Sequence, residues 1–320
     1  MHTTAKIGLY SAALALAFTG AYGIGAAADP LARTTSHTPH TDRRESSTMN
    51  HGEPRGSTPP LPGGLQISQD GYTLDLLTPR LTAGRETLLR FAIRDDAGAA
   101  VTDYATAHDK ELHLIVASRD LNTFRHLHPT RAADGTWSIP VELPAAGGYR
   151  VFADFTPAGE DARPLTLGAD LAAAGTYQPQ DLPPQNSTAE VDGYTVTLHG
   201  TLTAGRTTGL TLGVAKDGKP VTDLQPYLGA YGHLVALRAG DLAYLHVHPE
   251  GEPGDGTTRP GPAISFTATA PTDGAYRLFL DFKHQDTVRT AAFTLPASPA
   301  SPTGTAAIPR DQNHTGAEHH

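Results

Sequence analysis

The sequence predicts an all-β protein of two tandem β-sandwich domains behind an N-terminal hydrophobic segment. Three observations carry that expectation. A block of about a hundred residues occurs twice, apolar residues alternate along short runs, and Gly, Asp and Pro punctuate those runs roughly every 8–12 positions.

The repeat is legible segment by segment. DGYTLDL (70–76) returns as DGYTVTL (192–198), LTAGR (81–85) as LTAGR (202–206), and VTD (101–103) as VTD (221–223). LHLIVAS (112–118) matches GHLVALR (232–238), HLHP (126–129) matches HVHP (246–249), and GGYRVFADF (147–155) matches GAYRLFLDF (274–282). Within a copy, Tyr72, Leu74 and Leu76 alternate, as do Leu89, Phe91 and Ile93. Such spacing puts every second side chain on one face of a strand. PTDGAYRLF (271–279) resembles the tyrosine corner of immunoglobulin-like domains, and AAGGYRVF (145–152) is its counterpart without the Asp. The expected fold is therefore two immunoglobulin-like sandwiches.

In chain order, residues 1–28 are a signal peptide or membrane anchor. Lys6 gives a basic start, 7–28 carry no charge, and Ala26-Ala27-Ala28 before Asp29 fits a small-residue cleavage site. The uncharged run is also long enough to span a bilayer uncleaved. Either way the remainder is expected outside the cytoplasm, secreted or anchored, touching the membrane only through 7–28. Residues 29–63 are Pro-rich, polar and without periodicity, a disordered spacer. Repeat 1 spans 64–171, a linker 172–188, repeat 2 189–296, and a disordered tail 297–320.

Composition excludes several functions. The 320 residues contain no Cys, which removes disulfides, thiolate metal sites and thiol catalysis. Met1 and Met49 are the only methionines, so a thioether site for cuprous copper is excluded. Net charge is −9, with 24 Lys and Arg against 33 Asp and Glu, and no basic stripe is present to hold nucleic acid. No nucleophile elbow or phosphate loop appears, and no enzymatic activity is expected.

Histidine is the remaining strong ligand, and the 16 of them are clustered. If LHLIVASRDLNTFRHLHP (112–129) is a hairpin turning at Asp120-Leu121, His113 faces His128 and His126 lies diagonally beside it. Opposed Cβ atoms sit about 4.5–5.5 Å apart, close enough for three imidazoles to share one ion. Centring the second hairpin on Gly240-Asp241 does the same for His233, His246 and His248. Asp154 and Asp281 interrupt apolar strands at equivalent positions, as ligands or as carboxylates orienting a ligating His. His108 borders the first cluster, with Leu228 in its place in the second, and His284 occurs only in the second copy. A competing reading has the same histidines as hydrogen-bonded core residues of a structural or protein-interaction module.

At LHLIVASRDLNTFRHLHP and GAYGHLVALRAGDLAYLHVHP the chain resembles exported actinobacterial two-repeat proteins described as secreted or heavy-metal-binding-domain proteins. Its architecture is similar to the CopC and YtkA-like β-sandwiches of bacterial copper resistance. The resemblance implies metal handling outside the membrane, with copper favoured. The chain departs from copper carriers in lacking a Met-rich stretch and, after cleavage, an N-terminal His. The expected function is an exported, non-enzymatic protein binding Cu(II) or Zn(II) at a three-His site in each repeat. Its expected partners are the ion and an envelope protein.

Overall fold

A computed structural model describes residues 61–245 and 247–300. The expected N-terminal helix, nearly all of the spacer, tail residues 301–320 and His246 lie outside the described residues. What is described is all-β, eleven strands in each repeat.

Repeat 1 is two sheets. One runs β1 (Ser68–Gln69), β2 (Tyr72–Leu76), β4 (Thr87–Arg94), β9 (Trp137–Val141), β8 (Thr130–Arg131). The other runs β3 (Arg80–Thr82), β11 (Leu165–Ala174), β10 (Gly147–Pro157), β6 (Leu112–Ser118), β7 (Phe124–Leu127), with β5 (Tyr104–Ala105) on the end of β10. Repeat 2 copies this plan. Its first sheet is β12 (Thr188–Val191), β13 (Tyr194–Gly200), β15 (Thr207–Lys216), β20 (Ala263–Thr269), β19 (Val247–Pro249), with β16 (Lys219–Pro220) beside β15. Its second is β14 (Leu202–Thr203), β22 (Thr287–Ser298), β21 (Gly274–His284), β17 (His233–Arg238), β18 (Tyr244–Leu245). Only β3 with β11 and β14 with β22 pair in parallel among these strands. This order is that of an immunoglobulin-like sandwich. Both tyrosine corners form: Tyr149 and Tyr276 donate their hydroxyls to the carbonyls of Ala145 and Thr272, each at 2.8 Å.

Each sandwich has its own core, around Phe91, Trp137 and Tyr149 in the first and Tyr194, Phe266 and Phe293 in the second. A third apolar cluster joins them. All seven residues of β6 are buried. Leu112, Leu114 and Val116 enter their own core, while Ile115 and Ala117 turn outward to meet Val235, Leu237 and Phe279 of repeat 2. Phe124 stacks on Phe279 with ring centroids 4.0 Å apart. The outward faces of the two β6- and β17-containing sheets are thus packed against each other.

The hairpin turns supply two more anchors. Leu121 (φ 58°) and Leu242 (φ 64°) adopt left-handed backbone, and both are buried in this shared cluster. That conformation costs a non-glycine residue roughly 1–2 kcal/mol. Burying the leucine returns about 1.5–3 kcal/mol, enough to hold the turn in place.

The last strands run on to Ala174 and Ser298, beyond residues 171 and 296. The end of the spacer and the start of repeat 1 are pinned: Tyr244 donates its N–H to Gly63 O (3.0 Å), and Arg150 donates to Gly64 O (2.7 Å) and Leu65 O (2.9 Å). Gly64 has φ +73°, and a Cβ there would lie 2.4 Å from the Phe152 ring, so only glycine fits. In the linker, Asn186 is tied to repeat 2: its side chain donates to Ala292 O and accepts from Thr294 N. A buried arginine and a sheet edge need carbonyl and amide partners, and these polar segments provide them.

Candidate metal site between the repeats

The β6–β7 pairing matches the expected hairpin. Leu114 lies opposite Leu127, Ile115 opposite His126 and Ala117 opposite Phe124. Continuing that register places position 128 across from position 113, with Pro129 ending the arm. His113 has the parity of Ile115 and Ala117, so its ring projects into the seam between repeats. One nitrogen from each of His113, His126 and His128 falls in a group spanning no more than 4.8 Å.

The second repeat departs from expectation. Pairing of Ala236 with Leu245 and Leu237 with Tyr244 follows the expected register, but the chain then crosses to the opposite sheet. Val247–Pro249 pairs with β20, and His248 is exposed there. His246 lies outside the described residues. His233 joins the first repeat's imidazoles instead. Its ring lies 4.8 Å from that of His126 and 5.5 Å from that of His113, stacked on the latter at 14°. The structure thus brings His113, His126, His128 and His233 together at one seam, where a separate site in each repeat was expected. The reason is that β6 and β17 face each other, so the inward parity of one strand is also that of the other.

His108 stands at the rim with left-handed backbone (φ 50°), its ring 6.1 Å from His113 and 5.8 Å from His233. His284 is elsewhere, between the Tyr194 hydroxyl (2.7 Å) and Asp223 (3.1 Å). A cavity of about 180 Å³ opens beside the cluster, lined among others by His108, His113, His233, His248, Asp154 and Tyr244.

Hydrogen bonds fix which ring nitrogens carry protons. His113 Nε2 is 3.1 Å from the Ala107 carbonyl, which only accepts, so Nε2 is the N–H. His126 Nδ1 is 2.7 Å from Asp281 Oδ2 of the other repeat, so Nδ1 is the N–H there. Thr290 donates to the second oxygen of that carboxylate at 2.6 Å. The remaining nitrogens, His113 Nδ1 and His126 Nε2, face each other at 3.2 Å. In two neutral rings both are lone pairs. Either a further proton or a cation belongs between them. His128 Nε2 is buried with no hydrogen-bond partner among the described residues.

Burial disfavours charge on three of the rings. It pushes His113 down to about 4 and His128 to about 3, and holds His233 well below its ordinary value. Neutral imidazole is the form that binds metal. Asp154 occupies in repeat 1 the position of Asp281, taking the Thr166 hydroxyl at 2.9 Å, and burial pushes its carboxyl up to about 6.

A family model described as Domain of unknown function (DUF8832) matches residues 67–167 and again 189–299. The chain belongs to that family. The two DUF8832 matches coincide with the two sandwiches. A comparison with curated proteins gives no match. Among solved structures the chain is similar to the Escherichia coli adhesin FdeC, at 19% identity and TM-score 0.23, covering 73% of this chain and 65% of that one. It is also similar to InvD of Yersinia pseudotuberculosis (13%, 0.22, 76% and 62%) and to the D0-D1 domain of intimin (11%, 0.20, 70% and 97%). The chain spans less than two thirds of the FdeC and InvD chains. At these TM-scores the likenesses carry no weight, and the fold assignment rests on strand order. Among the described residues no helix is long and apolar enough to cross a membrane.

Proposed function

We propose that this is an exported, non-enzymatic protein that binds a divalent transition metal, Cu(II) or Zn(II), through imidazoles at the seam of its two sandwiches. The observation that carries this reading is the pair of facing lone pairs on His113 Nδ1 and His126 Nε2, 3.2 Å apart. Two nitrogens on a tetrahedral ion with bonds of about 2.0–2.1 Å are separated by about 3.3 Å. His128 supplies a third nitrogen after a side-chain adjustment. Asp281 and the Ala107 carbonyl orient two of the rings, an arrangement that ligating histidines almost always have. All-nitrogen ligands without sulfur suit Cu(II) and Zn(II), and copper is favoured where both are present. The uncharged N-terminal run supports export.

A second reading, an immunoglobulin-like interaction module, is favoured by the bonds those rings already make to Ala107 and Asp281. There the facing lone pairs are reconciled by a proton shared between the two rings. Calorimetric titration of Cu(II) and Zn(II) into the full chain at pH 7.5 separates the two. The H113A/H126A variant, its fold checked by circular dichroism, measures background from the spacer and tail histidines. Stoichiometric uptake lost in the variant supports the metal site; equal uptake removes it.

A further inference from the structure

Resting on that reading, we propose that the ion is a clasp between the repeats. One ion per chain is held by imidazoles of both, and its occupancy is coupled to their docking. Three observations place the site across the seam. His126 belongs to repeat 1, yet the carboxylate that sets its tautomer, Asp281, belongs to repeat 2. That carboxylate is itself held by Thr290 on the neighbouring strand, so its position is fixed by the second sandwich. His233, at the head of β17, brings a fourth imidazole to within 4.8 Å of the His126 ring.

The rings sit at one end of the apolar seam formed by Ile115, Phe124, Val235 and Phe279. If the sandwiches separate, His126 loses its orienting carboxylate and the cluster loses its fourth ring, leaving only His113 held, by Ala107 of its own repeat. Metal therefore binds the docked form more tightly than the undocked one. By reciprocity it stabilises docking by the same factor. Asp281 acts here as a positioning residue.

The test is amide hydrogen exchange of the full chain with and without one equivalent of Zn(II), together with the Zn(II) affinity of Asp281→Asn. The expected result is slowed exchange in both 112–118 and 276–284, and an affinity 10–100-fold weaker in D281N. Asn keeps the shape and can still accept from Thr290; metal-free exchange in its β22 checks that it folds. His233→Gln is a second variant, with at least a fivefold loss expected. Zn(II) bound at one equivalent with protection confined to repeat 1, or D281N and H233Q affinities within twofold of native, overturns the clasp and leaves the metal site standing. No uptake by the native chain overturns both.

Discussion

The two copies of the His-x-His arm have the same sequence pattern and different surroundings. In repeat 1, Phe124–Leu127 stays paired with β6 and delivers its rings to the seam. In repeat 2, the pairing ends at Leu245 and Val247–Pro249 joins the opposite sheet, with His248 exposed. The crossing in repeat 1 comes later, at Thr130–Arg131. Two further substitutions widen the contrast. His108 is replaced by Leu228, which is buried at 5% exposure, and Asp170, the ion-pair partner of Arg150, by Thr294 beside Arg277. A duplicated motif can thus keep its residues in both copies while the strands it pairs with differ.

The largest effect that would sharpen this comparison is at the seam. Phe279→Ala and Phe124→Ala each remove one ring of a single stack, so both should cost about 3–5 kcal/mol although they lie in different repeats. Urea denaturation checks this. A cost in one and little in the other would mean that the repeats stand apart.

Acid should act mainly through the imidazoles. Folded His113 is held at about 4, against about 6.5 when unfolded, so the unfolded chain binds the extra proton first. Its stabilising contribution is complete above pH 6.5 and is lost as pH falls towards 4. His128 and His233 act in the same direction. Asp154, raised to about 6, opposes them, because protonation relieves its burial as pH falls through 6. His113 and His128 against Asp154 leave a net loss on the order of 3 kcal/mol for the metal-free chain between pH 7 and 4.5, and His233 adds to it in the same direction. Urea midpoints across that range test the sign, and H113N should show a shallower fall.

For metal affinity the two arms should differ. His128→Ala is expected to weaken Zn(II) binding at least tenfold, and His248→Ala less than threefold, as read by competition with a chromophoric chelator. Equal losses would mean that the second arm also delivers ligands. The smallest expected effect tests what the copies share. Tyr149→Phe and Tyr276→Phe each remove one hydroxyl-to-carbonyl bond and should each cost about 1 kcal/mol.

Much of the fold was legible because it depends on neighbours within a copy. The parity of His113 with Ile115 and Ala117, the register that sets Leu114 against Leu127, and the two tyrosine corners all follow from local spacing. The seam was harder to read. Its signal was present in LHLIVAS and HLVALR, runs too apolar for strands with one face in water. Nothing in those runs says which surface covers the outward face. The pairing of Asp281 with His126 therefore lay beyond local pattern, since the two are brought together only by docking of separate sheets. The crossing at Val247 was hidden for a related reason. It depends on β20 offering a free edge, which no feature of HVHP encodes.

X-ray absorption spectroscopy of the Zn(II)- or Cu(II)-loaded full chain measures the ligands directly. The seam site predicts a shell of nitrogen at about 2.0–2.1 Å with outer-ring scattering from three or four imidazoles, absent when His113 and His126 are replaced. A spectrum with one imidazole or none, or one unchanged by those replacements, would contradict it.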